Sequence, residues 1–105
     1  MSEFLQITTT TGKRQDAEQI AAELVSRRLA GCVQVSGPIV STFRWQGKTE
    51  TLEEWMCTIK TGREQLAAIQ KVIDEIHPYE VPELIATPIV GGSEKYLAWL
   101  AGELS

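Results

Sequence analysis

A long stretch of extended chain that doubles back on itself constrains the fold more than any other feature. In Cys32–Trp45 apolar and polar residues alternate, which is typical of a half-buried strand. Gln46-Gly47 then predicts a two-residue hairpin turn, and residues 48–60 predict the returning strand. Gly37-Pro38 interrupts the first arm and predicts a bulge or bend. The apolar residues of the first arm share one parity: Val33, Val35, Ile39, Phe43 and Trp45.

The length of this hairpin predicts contact with other subunits. Each arm of about 13 residues spans roughly 43 Å, whereas a domain of this length has a radius of gyration of about 13 Å. An isolated two-stranded ribbon is marginally stable, and this one carries Phe43 and Trp45 near its tip. We therefore predict that the tips and edge strands pair with neighbouring copies in a closed homo-oligomer. The alternative is a hairpin that curls over its own sheet.

Two amphipathic helices flank the hairpin. The first begins near Asp16, and Gly31 is expected to end it. The second begins at Thr61, where Glu64 three residues later completes a capping box, and ends at His77-Pro78 because proline disfavours helical geometry in the residue before it. The apolar stripes are Ala17, Ile20, Ala21, Leu24, Val25 and Leu29 in the first helix, and Leu66, Ile69, Val72, Ile73 and Ile76 in the second.

The order of elements predicts an α+β fold of the ferredoxin-like type. Strands are predicted at residues 4–9 and 82–90, and a final helix begins at Ser93 after a Gly-Gly turn. The order is βαββαβ with an additional C-terminal helix, so that two helices cover one face of an antiparallel sheet. The second and fourth strands lie at the sheet edges, where Pro38, Pro82 and Pro88 are tolerated. Residues 1–105 form one domain.

Charge and composition narrow the classes of partner. The net charge is −4 and no basic run exists, which argues against nucleic-acid binding. No apolar segment approaches the roughly 20 residues of a membrane helix or resembles a signal peptide, so we expect no membrane association and a cytoplasmic location. Cys32 and Cys57 make no disulfide framework. If Trp45 faces Lys48, Cys57 should face Ser36, which puts the two sulfurs about 13 Å apart as free thiols.

Several motifs together resemble one known family. They are LAGC before the second strand, STFRWQGKTETLEEWMCTIKT over residues 41–61, HPYEVPEL over residues 77–84, and Y-L-x-W over residues 96–99. The chain resembles the CutA divalent-cation tolerance proteins. That resemblance implies a homotrimer of PII-like architecture with a role in tolerance of copper and other divalent cations, and with no established reaction. Thr9 and Ile76 stand where some members carry a cysteine and a second histidine, so no soft copper site is expected there.

His77 is the leading candidate for a metal ligand. Neutral imidazole suits Cu(II), Ni(II) and Zn(II), and Glu80 nearby in the sequence could add an oxygen ligand. No HxxxH or CxxC motif is present, so we expect no closed zinc site and no tightly bound cofactor. The alternative is a histidine that ends a helix and whose ring hydrogen-bonds to a neighbouring chain.

We predict no enzymatic activity. One histidine, two cysteines and no G-x-S-x-G motif leave no nucleophile and base pair. Trp45, Glu54, Lys60 and Tyr79 are candidates for a cleft between subunits. If they form one, the protein is a trimeric scaffold or PII-like sensor that binds a small molecule or a protein partner. The aromatic side chains could instead serve only in packing.

Overall fold

A four-stranded antiparallel sheet in the order β2-β3-β1-β4 forms the centre of the protein in a computed structural model that describes residues 3–105. The elements are β1 (Phe4–Thr11), α1 (Arg14–Ser26), β2 (Cys32–Trp45), β3 (Lys48–Gly62), a 3-10 turn (Arg63–Gln65), α2 (Leu66–Ile76), β4 (Ile85–Pro88) and α3 (Glu94–Glu103). The predicted α+β order is confirmed, and β2 and β4 lie at the edges. Of the three prolines predicted at the edge strands, Pro82 precedes β4.

The core lies between one face of the sheet and helices α1 and α2. Alternate residues of β1 and β3 point into it, because side chains of a strand alternate between faces. Its most buried members are Leu5, Ile7, Ala17, Ile20, Leu24, Cys57, Ile59, Ile69, Val72 and Ile73. Across residues 3–105, no helix is long and apolar enough to cross a membrane.

The predicted hairpin is present over its full length. β2 and β3 pair from Cys32 opposite Lys60 to Trp45 opposite Lys48. The turn residues Gln46 and Gly47 have φ angles of 49° and 79°, the left-handed values that a type I′ turn requires. β1 pairs with β3 only as far as Thr11 opposite Trp55, so residues 39–54 form a two-stranded ribbon beyond the sheet. The molecule is accordingly elongated, 44 Å by 25 Å by 23 Å.

A bulge at Gly37-Pro38 shifts the register of the hairpin and divides its apolar stripe. Below the bulge Val35 lies opposite Cys57, and above it Ile39 lies opposite Glu54. Because β2 carries one extra residue at this point, the prediction that Cys57 faces Ser36 is wrong by one position. Since β3 is continuous, the first half of the stripe faces the helices and the second half, with Phe43 and Trp45, faces the opposite side. Both cysteines are free, as predicted.

Two helix boundaries differ from their predictions. α1 ends at Ser26, before the predicted stop at Gly31, and Arg28 takes the left-handed conformation (φ 59°) in the turn that follows. Thr61 lies within β3, and its hydroxyl donates to the Leu29 carbonyl oxygen at 2.6 Å, so it does not cap α2. α2 does end at Ile76 before His77-Pro78. The predicted cap of α3 is confirmed, because the Ser93 hydroxyl oxygen accepts from the Tyr96 N–H at 3.2 Å.

Gly31 is required by the close approach of α3. A Cβ at this position would lie 2.5 Å from Cδ1 of Leu100, which is fully buried. Arg28 fixes the end of the same helix, since its guanidinium donates to the carbonyl oxygens of Gly102 (2.9 Å) and Glu103 (3.1 Å). α3 is therefore tied to the chain that follows α1.

Gly31→Ala should lower the free energy of unfolding by about 1 to 3 kcal/mol, because the added methyl group overpacks the contact with Leu100. Gly102→Ala is the matched control, since a Cβ there meets nothing within 4 Å and alanine favours helix. Chemical denaturation at one protein concentration measures both. Equal stability of the two variants would contradict the close approach.

Candidate functional site

The connection between α2 and β4, residues 77–84, crosses beside the end of β1 and the base of the ribbon. We call it the junction. Helix α2 ends where it does because Pro78 follows His77, whose backbone is extended (φ −73°, ψ 132°). Farther along, the Glu83 carboxylate accepts from the Thr8 hydroxyl at 3.3 Å. The junction therefore carries its side chains past β1 toward the ribbon.

His77 is buried, with 9% of its surface exposed, and both of its ring nitrogens are hydrogen-bonded. Nε2 lies 2.8 Å from the carbonyl oxygen of Thr10, which can only accept, so Nε2 carries the proton. Nδ1 accepts from the backbone N–H of Tyr79 at 3.1 Å. The ring thus holds the junction against β1. To bind a metal, it must give up one of these bonds.

Tyr79 and Glu54 form the polar contact between the junction and the base of the ribbon. The Tyr79 hydroxyl donates to Oε2 of Glu54 at 2.8 Å, and Glu54 is only 5% exposed. Burial raises the pKa of Tyr79 to about 12, and the hydrogen bond to Glu54, the charge of Glu54 and the charge of Asp16 add to the shift. Tyr79 therefore keeps its proton at neutral pH and acts as a donor.

The ribbon and the junction enclose two adjoining clefts. The smaller has a volume of about 340 Å³, and the larger about 640 Å³. Both share Phe43, Trp45, Tyr79 and Val81. The smaller is completed by Glu50, Leu52 and Glu80. Phe43 and Trp45 remain 37% and 39% exposed, so the ribbon leans toward the junction without closing over it.

The structure brings together most of the predicted site residues. Glu54, Tyr79 and His77 are joined through the hydrogen bonds at the junction, while Trp45 and Glu80 line the smaller cleft. Lys60 lies apart, six residues along β3 from Glu54 and so about 20 Å away at strand rise. Its ammonium group donates to Oε1 of Gln34 at 2.8 Å.

Sequence reasoning missed Glu50, Leu52, Val81 and Phe43 as lining residues of the smaller cleft. Glu50 and Leu52 could have been found from the predicted turn. Pairing Trp45 with Lys48 also pairs Phe43 with Glu50 and Ser41 with Leu52. Residues directly opposite in an antiparallel pair share a face of the ribbon. Val81 had no such signal, since it lies in a segment without strand pairing.

The donor groups of residues 3–105 do not gather into a tight metal site. Within residues 3–105, no group of three or more His, Cys, Asp or Glu side chains lies close enough to hold a metal ion. Burial raises the pKa of Cys57 to about 11, and its thiol points at the Ala17 carbonyl oxygen, so it is protonated at neutral pH and unsuited to ligation. A divalent cation bound near His77 or Glu80 therefore needs ligands from elsewhere.

Glu54→Gln should lower the pKa of Tyr79 from about 12, because it removes the negative charge that opposes the phenolate. The ultraviolet absorbance of the phenolate measures this pKa, in a Tyr96→Phe background that leaves one tyrosine. Because the pKa of Tyr79 is higher in the folded protein than in the unfolded chain, the contribution of Tyr79 to the free energy of unfolding is complete below pH 10. That contribution is lost as the pH rises toward 12. Glu53→Gln, on the neighbouring residue, is the control. An unchanged Tyr79 pKa in Glu54→Gln would contradict the contact.

Comparison with known proteins identifies a family that shares this architecture. The family described as CutA1 divalent ion tolerance protein matches residues 5–103. The chain is 37% identical over 94 residues to the chloroplastic protein CutA of Arabidopsis thaliana, covering 90% of this chain and 52% of that protein. The chain thus spans about half the length of this plant relative.

Solved structures agree with the sequence match. CutA from Xylella fastidiosa superposes with a TM-score of 0.95 at 38% identity, covering 99% of this chain and 100% of the other. A divalent cation tolerance protein CutA from Archaeoglobus fulgidus, described as periplasmic, gives a TM-score of 0.94 at 32% identity, with coverage of 97% and 99%. The ribbon and the junction belong to a shared fold.

Proposed function

The chain belongs to the CutA1 divalent ion tolerance protein family, and we propose that it acts in divalent-cation tolerance as a homotrimer that binds metal ions reversibly. The family match over residues 5–103 carries the proposal, because the relatives it includes are named for tolerance of divalent cations. The proposal gives the chain no catalytic step. The ring of its one histidine makes two hydrogen bonds. A cytoplasmic location remains a prediction.

The ribbon supports association between subunits. Above the bulge, β2 pairs with β3 on one side, and no other strand of residues 3–105 pairs with its outer edge. Apolar side chains also lie open at both sheet edges, where Val40 is 75%, Ile85 54% and Val90 93% exposed. Edge strands of this kind pair readily with another chain, and a closed ring leaves none of them free. The proposed number of subunits, three, comes from the resemblance to the CutA proteins.

Sedimentation equilibrium at micromolar concentration should give three times the subunit mass of 11.7 kDa. Val40→Asp should shift the protein toward monomer, because a carboxylate would replace an apolar contact between subunits. Gln70→Asp, on the exposed side of α2, should leave the trimer intact. A folded wild-type monomer would contradict the proposal.

In this proposal metal ions are cargo, and they bind at a site whose ligands come from several subunits. Glu80 is exposed on the cleft and offers a carboxylate without rearrangement, whereas His77 must exchange a hydrogen bond for a metal bond. Because residues 3–105 of one subunit supply no third donor at this place, the affinity should be modest and the ion exchangeable. Cu(II) is the first candidate because imidazole and carboxylate suit it and it binds such sites most tightly among these divalent ions.

Calorimetric titration with Cu(II), Ni(II) and Zn(II) tests this site. Glu80→Gln and His77→Ala should each weaken binding by roughly tenfold or more, because even the loss of an outer-shell partner of a metal ligand costs about that much. Glu75→Gln, an exposed carboxylate on α2, should leave it unchanged. Thermal melting of His77→Ala separates a lost ligand from a lost fold. No binding heat in the wild type would contradict reversible metal binding.

A second candidate function is small-molecule binding in the cleft between ribbon and junction. The cleft itself favours it, since about 340 Å³ lies against three aromatic side chains and two carboxylates. Trp45 and Tyr79 line this cleft, and Glu54 accepts a hydrogen bond from Tyr79 beside it. In this role the protein is a sensor or scaffold of the PII-like kind.

A further inference from the structure

The smaller cleft combines aromatic surface with negative charge. Phe43, Trp45 and Tyr79 contribute ring surface, and Leu52 and Val81 complete the apolar wall. Glu50 is half-buried and Glu80 exposed, and both line the cleft. None of the seven lining residues is basic. The lining therefore offers ring faces and carboxylates to a ligand and no cation to balance them.

The nearest cations of the ribbon do not line the smaller cleft, although Arg44 lines the larger cleft beside it. Arg44 donates to the carbonyl oxygen of Gly47 at 3.1 Å and extends to the Thr49 hydroxyl, its partner across the ribbon. That pair lies on the side opposite Phe43 and Glu50, because adjacent residues of a strand point to opposite faces. Lys48 lies opposite Trp45 at the tip, and it is absent from the lining.

The base of the cleft is held in place. Tyr79 is fixed at its hydroxyl by Glu54 (2.8 Å), and its backbone N–H donates to His77. Its ring also packs against Gly12, where a Cβ would lie 3.1 Å from the Tyr79 hydroxyl oxygen. One wall of the cleft is thus fixed before any ligand arrives, and fixed walls reduce the entropy that binding costs.

From this arrangement we propose that the cleft binds a small organic monocation, an ammonium group attached to an aliphatic or aromatic body. The body lies on Phe43, Trp45 and Leu52, and the ammonium group lies between the carboxylates of Glu50 and Glu80. Ring faces and carboxylates both attract such a cation, and removal from water strengthens the attraction. The inference deepens the second candidate function and does not depend on metal binding.

Phenethylammonium is the probe, because 2-phenylethanol has the same heavy-atom skeleton without the charge and 3-phenylpropanoate reverses the charge. Calorimetry on the wild-type protein should give a dissociation constant of about 1 mM or below for phenethylammonium. Binding of 2-phenylethanol should be at least about tenfold weaker. Shifts of the Trp45 indole N–H signal in nitrogen-15 NMR spectra locate the ligand.

The double variant Glu50→Gln with Glu80→Gln should weaken phenethylammonium binding by roughly tenfold and leave 2-phenylethanol binding unchanged. Glu53→Gln is the matched control, since Glu53 lies on the same strand of the ribbon with its side chain on the other face. It should bind like the wild type. Trp45→Leu should weaken binding of the cation more than binding of the alcohol, because it removes a ring face.

Equal affinity for the cation and the alcohol would overturn the inference, as would equal losses in Glu53→Gln and the double variant. Tighter binding of 3-phenylpropanoate than of phenethylammonium would also overturn the inference. The cleft would then still be a small-molecule site. No binding of any of the three probes would overturn both the inference and the second candidate function. None of these results bears on the titrations with Cu(II), Ni(II) and Zn(II).

Discussion

The pairing of β2 with β3 along their full length is the interaction on which the rest of the structure depends. It begins in the core, where Val35 lies opposite Cys57, and continues to the turn at Gln46 and Gly47. The lower part is stabilised by β1 and by the helices that cover it. The upper part has no such support within residues 3–105, and this gives the protein both its exposed apolar edges and its clefts.

The junction is the second essential part, because it converts an exposed ribbon into one wall of a site. Its position follows from local chemistry, in which Pro78 ends a helix and the His77 ring binds β1 on one side and the Tyr79 backbone on the other. Tyr79 then reaches Glu54. The two candidate functions place different requirements on this segment. Metal binding requires the His77 ring to give up one hydrogen bond, whereas small-molecule binding leaves both of its hydrogen bonds in place.

The fold could be predicted from the sequence largely because the periodic patterns are long. β2 was predicted with its observed bounds, and the turn was identified from two residues. The boundaries that failed depend on contacts between distant residues, such as the bond from Thr61 to Leu29 that keeps Thr61 in β3. The same holds for the site. Three glutamates lie in residues 50–54, and only the partner Tyr79, 25 positions away, decides that Glu54 is the buried one.

The turn and β3 together set the face on which the aromatic side chains of the ribbon lie. Phe43 stays opposite Glu50 as long as Gln46 and Gly47 fix the tip, and β3 runs without interruption into the core. Deleting one residue from Gly37-Pro38 would leave a single residue opposite Trp55 and would keep Val35 opposite Cys57 and Ile39 opposite Glu54. Because a bulge bends its strand, such a deletion would straighten the hairpin without moving the core residues or the cleft residues to another face.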